Sequence, residues 1–122
     1  MKKVKIDRKL KDLIEKNPLS LSTVMSNGKP NAIGVAFVKV VDGNKLLITD
    51  NYMNQTAKDI KNNPNVVIVV WDKNMNGCKI IGEAQYFNKG KWIDRVKAMP
   101  ENKDEPAKGA ILVTPELVIK PA

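Results

Sequence analysis

This 122-residue sequence has no histidine and a single cysteine, Cys78. Lack of histidine rules out any histidine-dependent catalytic triad, and the two shortages together remove the usual nitrogen and sulfur ligands of a zinc site. One cysteine makes no internal disulfide, which fits a reducing cytoplasm. Arginine is nearly missing: of 21 basic residues only Arg8 and Arg95 are arginines, and the rest are lysines scattered among 13 acids. Arginine is the side chain that reads base edges and grips phosphates bidentately, and aromatics for stacking single strands are only 5% of the chain. The net charge of +8 therefore reads as a solvated lysine-rich surface with non-specific attraction for polyanions, not as specific nucleic-acid binding. No apolar run approaches the roughly 20 residues of a membrane span. The basic amino terminus is followed by no apolar segment or small-residue cleavage site, so a signal peptide is not expected.

What is present is the composition of a globular domain, 43% apolar and 28% charged, in a length that builds one core and not two. Residues 7–16 place Leu10, Leu13 and Ile14 at i, i+3 and i+4 behind Asp7, predicting an amphipathic helix that stops before Asn17-Pro18. Alternation over 19–26, then Asn27-Gly28, predicts a strand entering a hairpin. Its partner, 31–41, reads as one long strand with Gly34 and Ala36 in its middle, and Asp42-Gly43-Asn44 turns the chain into 45–50. A mid-strand glycine marks a bulge or leaves room for a flat ligand, and Gly34 by itself reads as a bulge. Residues 65–72, NVVIVVWD, predict a strand buried on both faces, as in a barrel or dimer core. Further strands fall at 78–87, 109–114 and 116–120, the last two parted by Pro115. Trp92, Ile93, Val96 and Met99 predict a helix over 91–99, and 100–108, PENKDEPAK, reads as an exposed loop. Strands in this order, with a helix inserted among them, predict a mainly β single domain over 1–122: a small antiparallel barrel with peripheral helices, because closure removes sheet edges.

The functional reading centres on residues 46–64, LLITDNYMNQTAKDIKNNP. An apolar strand runs into a polar loop, and a helix starts near Gln55 and is stopped by Asn62, Asn63 and Pro64. The first turn of a helix carries N–H groups without intrahelical partners, so a phosphate there gains several charge-assisted hydrogen bonds, with Gln55 and Thr56 as added donors. The same residues also read as a plain helix cap: Asn54, or Thr56 with Asp59 three residues on.

Taken in order, Asn27-Gly28-Lys29-Pro30, a long strand with a small centre, a polar loop with Thr56, a helix ending in Asn62-Asn63-Pro64, a valine-rich strand and Gly82-Glu83-Ala84 form a pattern that resembles the FMN-binding split-barrel proteins related to pyridoxamine 5′-phosphate oxidase. The resemblance covers residues 19–119. It implies a six-stranded antiparallel split β-barrel, usually a homodimer, with FMN in clefts between the subunits. The phosphate falls to Gln55 and Thr56 with Lys58 as helper, and the ring and ribityl chain pass Gly34, Val35, Ala36, Thr49, Asp50 and Asn51. The implied activity is transfer of electrons or hydride through the flavin to an unidentified acceptor, with no side chain assigned as acid or base and no metal.

The chain departs from the family pattern in two places. Many members carry Lys or Arg just before the threonine, where this sequence has the neutral Gln55. The carboxyl-terminal basic and histidine residues that the namesake oxidase uses on its vitamin substrate have no counterpart, so vitamin B6 oxidation is not expected. Haem, held by some related barrels, would have only Met, Cys or Tyr as axial ligand. Two alternatives stay open: a deazaflavin (F420)-dependent reductase on the same fold, and a non-enzymatic binding module that has lost its cofactor.

Overall fold

The hairpins of the sequence join into one antiparallel sheet. In the computed structural model, which describes residues 4–120, α1 (Arg8–Lys16) precedes the hairpin of β1 (Leu19–Val24) and β2 (Pro30–Val35). A second hairpin pairs β3 (Lys39–Val41) with β4 (Lys45–Asp50), and α2 (Gln55–Asn62) leads into β5 (Asn65–Trp71) and β6 (Gly77–Phe87). After α3 (Lys91–Lys97) and a single 3₁₀ turn (Pro100–Asn102), β7 (Gly109–Ile119) completes the sheet. Lys2, Lys3 and Ala122, on which parts of the terminal readings rest, lie outside the described residues.

The strand order β2-β1-β5-β6-β7-β4-β3 puts β2 and β3, consecutive in the chain, at opposite edges of the sheet. This corrects the single strand expected over 31–41. β2 pairs only with β1 and β3 only with β4, and one straight strand cannot serve both partners, so the ladder breaks at Ala36, Phe37 and Val38. The sheet curls into a barrel whose seam is spanned by these three residues instead of a ladder. With the bend counted inside one strand, the architecture is the six-stranded split barrel. The register of β1 with β2 runs without a shift through Ser20 and Gly34, so Gly34 is not at a bulge.

The other end of the chain differs in the opposite direction. Residues 109–114 and 116–120 form one strand, because Pro115 lies opposite Gly82 at the register shift between Ile81 and Gly82, where its missing N–H breaks no ladder bond. A Cβ on Gly82 would lie 2.4 Å from the Thr114 carbonyl oxygen, so the bulge requires glycine there.

Alternation along the strands sorts the apolar residues into two cores. Leu19, Leu21, Leu46, Ile48, Ile68, Val70, Ile80, Ile111 and Val113 fill the barrel with Ile14 of α1 above them. Each such side chain contributes about 1.5–3 kcal/mol of burial. On the outer face, Trp92, Ile93 and Val96 of α3 pack with Met99 on Leu47, Ala110 and Leu112. The helix ends two residues before the predicted boundary, yet Met99 stays in this cluster. Cys78 is a buried packing residue, and burial pushes its thiol pKa up.

The sequence predicts β5 to be buried on both faces, but this chain covers only one of them. Val66, Ile68 and Val70 point into the barrel, Val67 and Val69 are half-buried, and Trp71 is 39% exposed. The segment 100–108 also differs from the exposed loop expected, since Asn102 and Ala107 are each 3% exposed. Among the described residues, no helix is long and apolar enough to cross a membrane, and no group of three or more His, Cys, Asp or Glu is placed to hold a metal ion.

Candidate functional site

Where the barrel seam opens, a cleft of about 430 Å³ lies between the bend that follows β2, the end of β4 and the start of α2. Its volume falls in the range of about 300–1,000 Å³ typical of small-molecule sites. Of the residues marked by the sequence, Gly34, Val35, Ala36, Thr49, Asn51, Gln55 and Thr56 line it. A Cβ built on Gly34 meets nothing within 4 Å, and Ala36 is exposed, so the backbone here faces open space.

Asp50 and Lys58 are not among the lining residues. Successive strand residues face opposite sides of a sheet, so when Thr49 faces the cleft Asp50 turns into the barrel with Ile48. There Asp50 is fully buried and accepts hydrogen bonds from the Tyr86 hydroxyl at 2.5 Å and the Met53 N–H at 2.8 Å, with the Lys108 ammonium 3.9 Å away. Burial first, and then the hydrogen bond to Asp50 and its charge, raise the Tyr86 pKa well above that of an ordinary phenol. The Lys58 side chain is exposed on α2, outside the cleft.

The start of α2 is not capped as the sequence suggested. Asn54 occupies the N-cap position without a side-chain cap bond, and Thr56 and Asp59 do not form a capping box. Their polar atoms are used across the barrel mouth instead. Asp59 accepts from Thr23 Oγ1 and from Gln55 Nε2, each at 2.7 Å. Asn31 Nδ2 donates to Thr23 Oγ1 at 3.2 Å and to Thr56 Oγ1 at 3.1 Å. The first-turn amides of α2 are thus left without a capping side chain at one end of the cleft. Thr49, which lines the same cleft as Gly34 and Ala36, has a buried Oγ1 with no hydrogen-bond partner among the described residues. A buried hydroxyl without a partner costs about 1–3 kcal/mol, and a ligand polar atom would remove that cost.

The loop between β4 and α2 is held by the segment before β7. Asn51 donates to Asn102 Oδ1 at 2.8 Å and accepts from the Ala107 N–H at 2.9 Å, while the Tyr52 hydroxyl donates to Glu105 at 2.6 Å. The Glu105 contact raises the Tyr52 pKa. Both ends of the Asn51 amide are therefore engaged in fixing the loop. Asn31, Ile33, Phe37, Tyr52 and Met53, which no sequence signal singles out, also line the cleft, as does Asn54, which the sequence marks only as a helix cap. The bend at 36–38 is what brings Phe37 there, and no turn signal announces it. Among the described residues, all the lining side chains are uncharged, in a chain of net charge +8.

The profile of the family described as Pyridoxamine 5'-phosphate oxidase matches residues 6–120. An uncharacterized protein of Methanocaldococcus jannaschii is 27% identical over 114 residues, covering 90% of this chain and 76% of the relative. Among solved structures, HupZ of Group A Streptococcus superposes with a TM-score of 0.86 at 20% identity, covering 96% of this chain and 99% of that one. An FMN-binding protein of Syntrophomonas wolfei gives 0.76 at 18% identity, covering 92% and 83%. An F420 reductase gives 0.68 at 23% identity, covering 89% and 94%.

Proposed function

We propose a function from one premise: this chain belongs to the pyridoxamine 5′-phosphate oxidase family. It is a homodimeric flavoprotein that holds FMN in the cleft at the barrel seam and exchanges electrons or hydride with an acceptor of unidentified structure. The observation that carries this reading is that one cleft brings together an uncapped helix start, an open strand backbone at Gly34 and the Thr49 hydroxyl, unpartnered among the described residues. Thr56, Gln55 and the first-turn amides of α2 would hold the phosphate, and Gly34, Ala36 and Thr49 would border the ring. Asn51 acts on the site by fixing its loop, and Asp50 by bracing the barrel end beneath it. When bound, a flavin supplies the redox chemistry, and the protein's part is to orient it and exclude water.

The absorption spectrum of the purified protein tests the cofactor. Bands close to those of free FMN support the reading, a deazaflavin band replaces it with an F420 reductase, and protein absorption alone leaves a binding module. In the flavoprotein, Thr56→Val should weaken FMN binding by about 1–3 kcal/mol, the cost of one donor lost to a charged acceptor. Riboflavin, which lacks the phosphate, should bind almost as before. Equal losses for both ligands would assign the hydroxyl to folding.

Dimerisation is supported by the outer face of the sheet. Val67 pairs with Ile81 and Ile81 with Leu117, while Lys79 separates Val69 from Ile119, so these residues form an apolar band extended by Trp71. Leu117 is 48% and Ile119 37% exposed, the kind of surface that obligate interfaces bury. Light scattering at micromolar concentration is expected to give twice the chain mass of 13.6 kDa. A monomer mass would remove both the dimer and any site shared between subunits.

A further inference from the structure

We infer that Asp59 is a positioning residue that sets the direction of a hydrogen-bond relay, so that the α2 end of the cleft presents donors to an oxyanion. The inference rests on the reading that this end takes a ligand phosphate. Asp59 is 2% exposed, and its two oxygens accept from Thr23 and Gln55. A hydroxyl has one proton, so once Thr23 donates to Asp59 its oxygen is left to accept, which it does from Asn31 Nδ2. An amide nitrogen only donates, and the second partner of Asn31 Nδ2 is Thr56 Oγ1. Thr56 oxygen is thereby an acceptor, and its own proton remains for the cleft it lines. Gln55, fixed through its amide nitrogen, keeps a second N–H to donate. The carboxylate, which can only accept, fixes the direction of every link.

The relay matters because, among the described residues, no cationic side chain lines the cleft. Neutral donors hold an anion only if their protons point at it. Asparagine at position 59 would offer one accepting oxygen and one donating nitrogen, so Thr23 and Gln55 could not both keep their direction. Reversal at Thr23 turns Asn31 and Thr56 around with it. Charge alone predicts the opposite result, because removing a buried negative charge near a phosphate strengthens its binding.

The test measures dissociation constants for FMN and riboflavin, and follows the backbone amides of Gln55 and Thr56 by NMR during titration with inorganic phosphate. Asp59→Asn is expected to lower the preference for FMN over riboflavin by about tenfold, with riboflavin affinity held. Thr23→Val, which keeps the charge and cuts the relay, should lower it several-fold, and Thr23→Ser should retain the wild-type value. A preference that rises in Asp59→Asn, or one unchanged in Thr23→Val, overturns the relay; the second variant decides if the first does not fold. If the wild type binds neither flavin, the functional reading fails separately and phosphate still decides. Shifts at Thr56 that need several-fold more phosphate in Thr23→Val sustain the relay, whereas the same phosphate dependence in both proteins, or no shift in either, overturns it.

Discussion

Replacing Ala36 with leucine should leave the thermal midpoint within a few degrees of wild type and weaken FMN binding about 10–100-fold. Ala36 is exposed and lies in the bend between the sheet edges, so a larger side chain there displaces nothing from the barrel core. It fills the cleft instead. Forcing a bulky group into a fitted site costs about 1–3 kcal/mol, and each 1.4 kcal/mol is tenfold in affinity. Calorimetric unfolding beside flavin titration separates the two possible outcomes. Loss of stability with flavin affinity intact in the folded fraction would move Ala36 into a packed position and displace the ring from this strand.

Asp50→Ala should be the most destabilising single change near the site. The side chain is fully buried and serves the Tyr86 hydroxyl, the Met53 N–H and the Lys108 ammonium together. Truncation leaves the Tyr86 hydroxyl and the Met53 N–H without their shared acceptor, while the half-exposed Lys108 keeps the Met53 carbonyl oxygen, a loss of about 3–5 kcal/mol. For a domain of this size that lowers Tm by about 10–20 °C. Space for compensation is small, because a Cβ on Gly109 would already lie 2.1 Å from the Tyr86 hydroxyl. A melting temperature within a few degrees of wild type would show that the cluster braces nothing.

The same cluster gives the protein a pH dependence of known sign. The folded pKa of Tyr86 lies above its ordinary value of 10.0, chiefly through burial and then through Asp50. A group with a raised folded pKa contributes stability that is complete below its unfolded value and is lost as pH climbs through the folded one. Denaturant midpoints should therefore hold up to about pH 10 and fall beyond it. Asp50→Asn should reduce the alkaline loss while leaving the part due to burial.

Local pattern carried much of this protein. The i, i+3, i+4 spacing of Leu10, Leu13 and Ile14 placed α1, Asn27-Gly28 placed the first hairpin, and the run from Gln55 to its Asn62-Asn63-Pro64 stop placed α2, which includes Asn62 and ends there. These signals are legible because propensity, turn chemistry and periodicity act between near neighbours. The absence of histidine, known from composition alone, set limits on chemistry that no fold could relax. Strand alternation could also have separated Thr49 from Asp50, since adjacent residues cannot share a face.

Tertiary structure decided the rest. Asp59 looked like half of a capping box until Thr23, 36 residues earlier in the chain, came within hydrogen-bond reach of its carboxylate. Asn51 lines the cleft as the sequence implied, but only the fold shows that both ends of its amide are also engaged, by Asn102 and Ala107. The run Val66 to Trp71 reads as buried on both sides, and the chain by itself covers one, because composition reports how apolar a strand is and not which layer covers it. The break at Ala36 to Val38 has no local signal because its cause is global: β2 and β3 pair at opposite edges of a curled sheet, and the chain must bend to reach both. Contacts between distant residues depend on the closure of the barrel, and closure is a property of all its strands together.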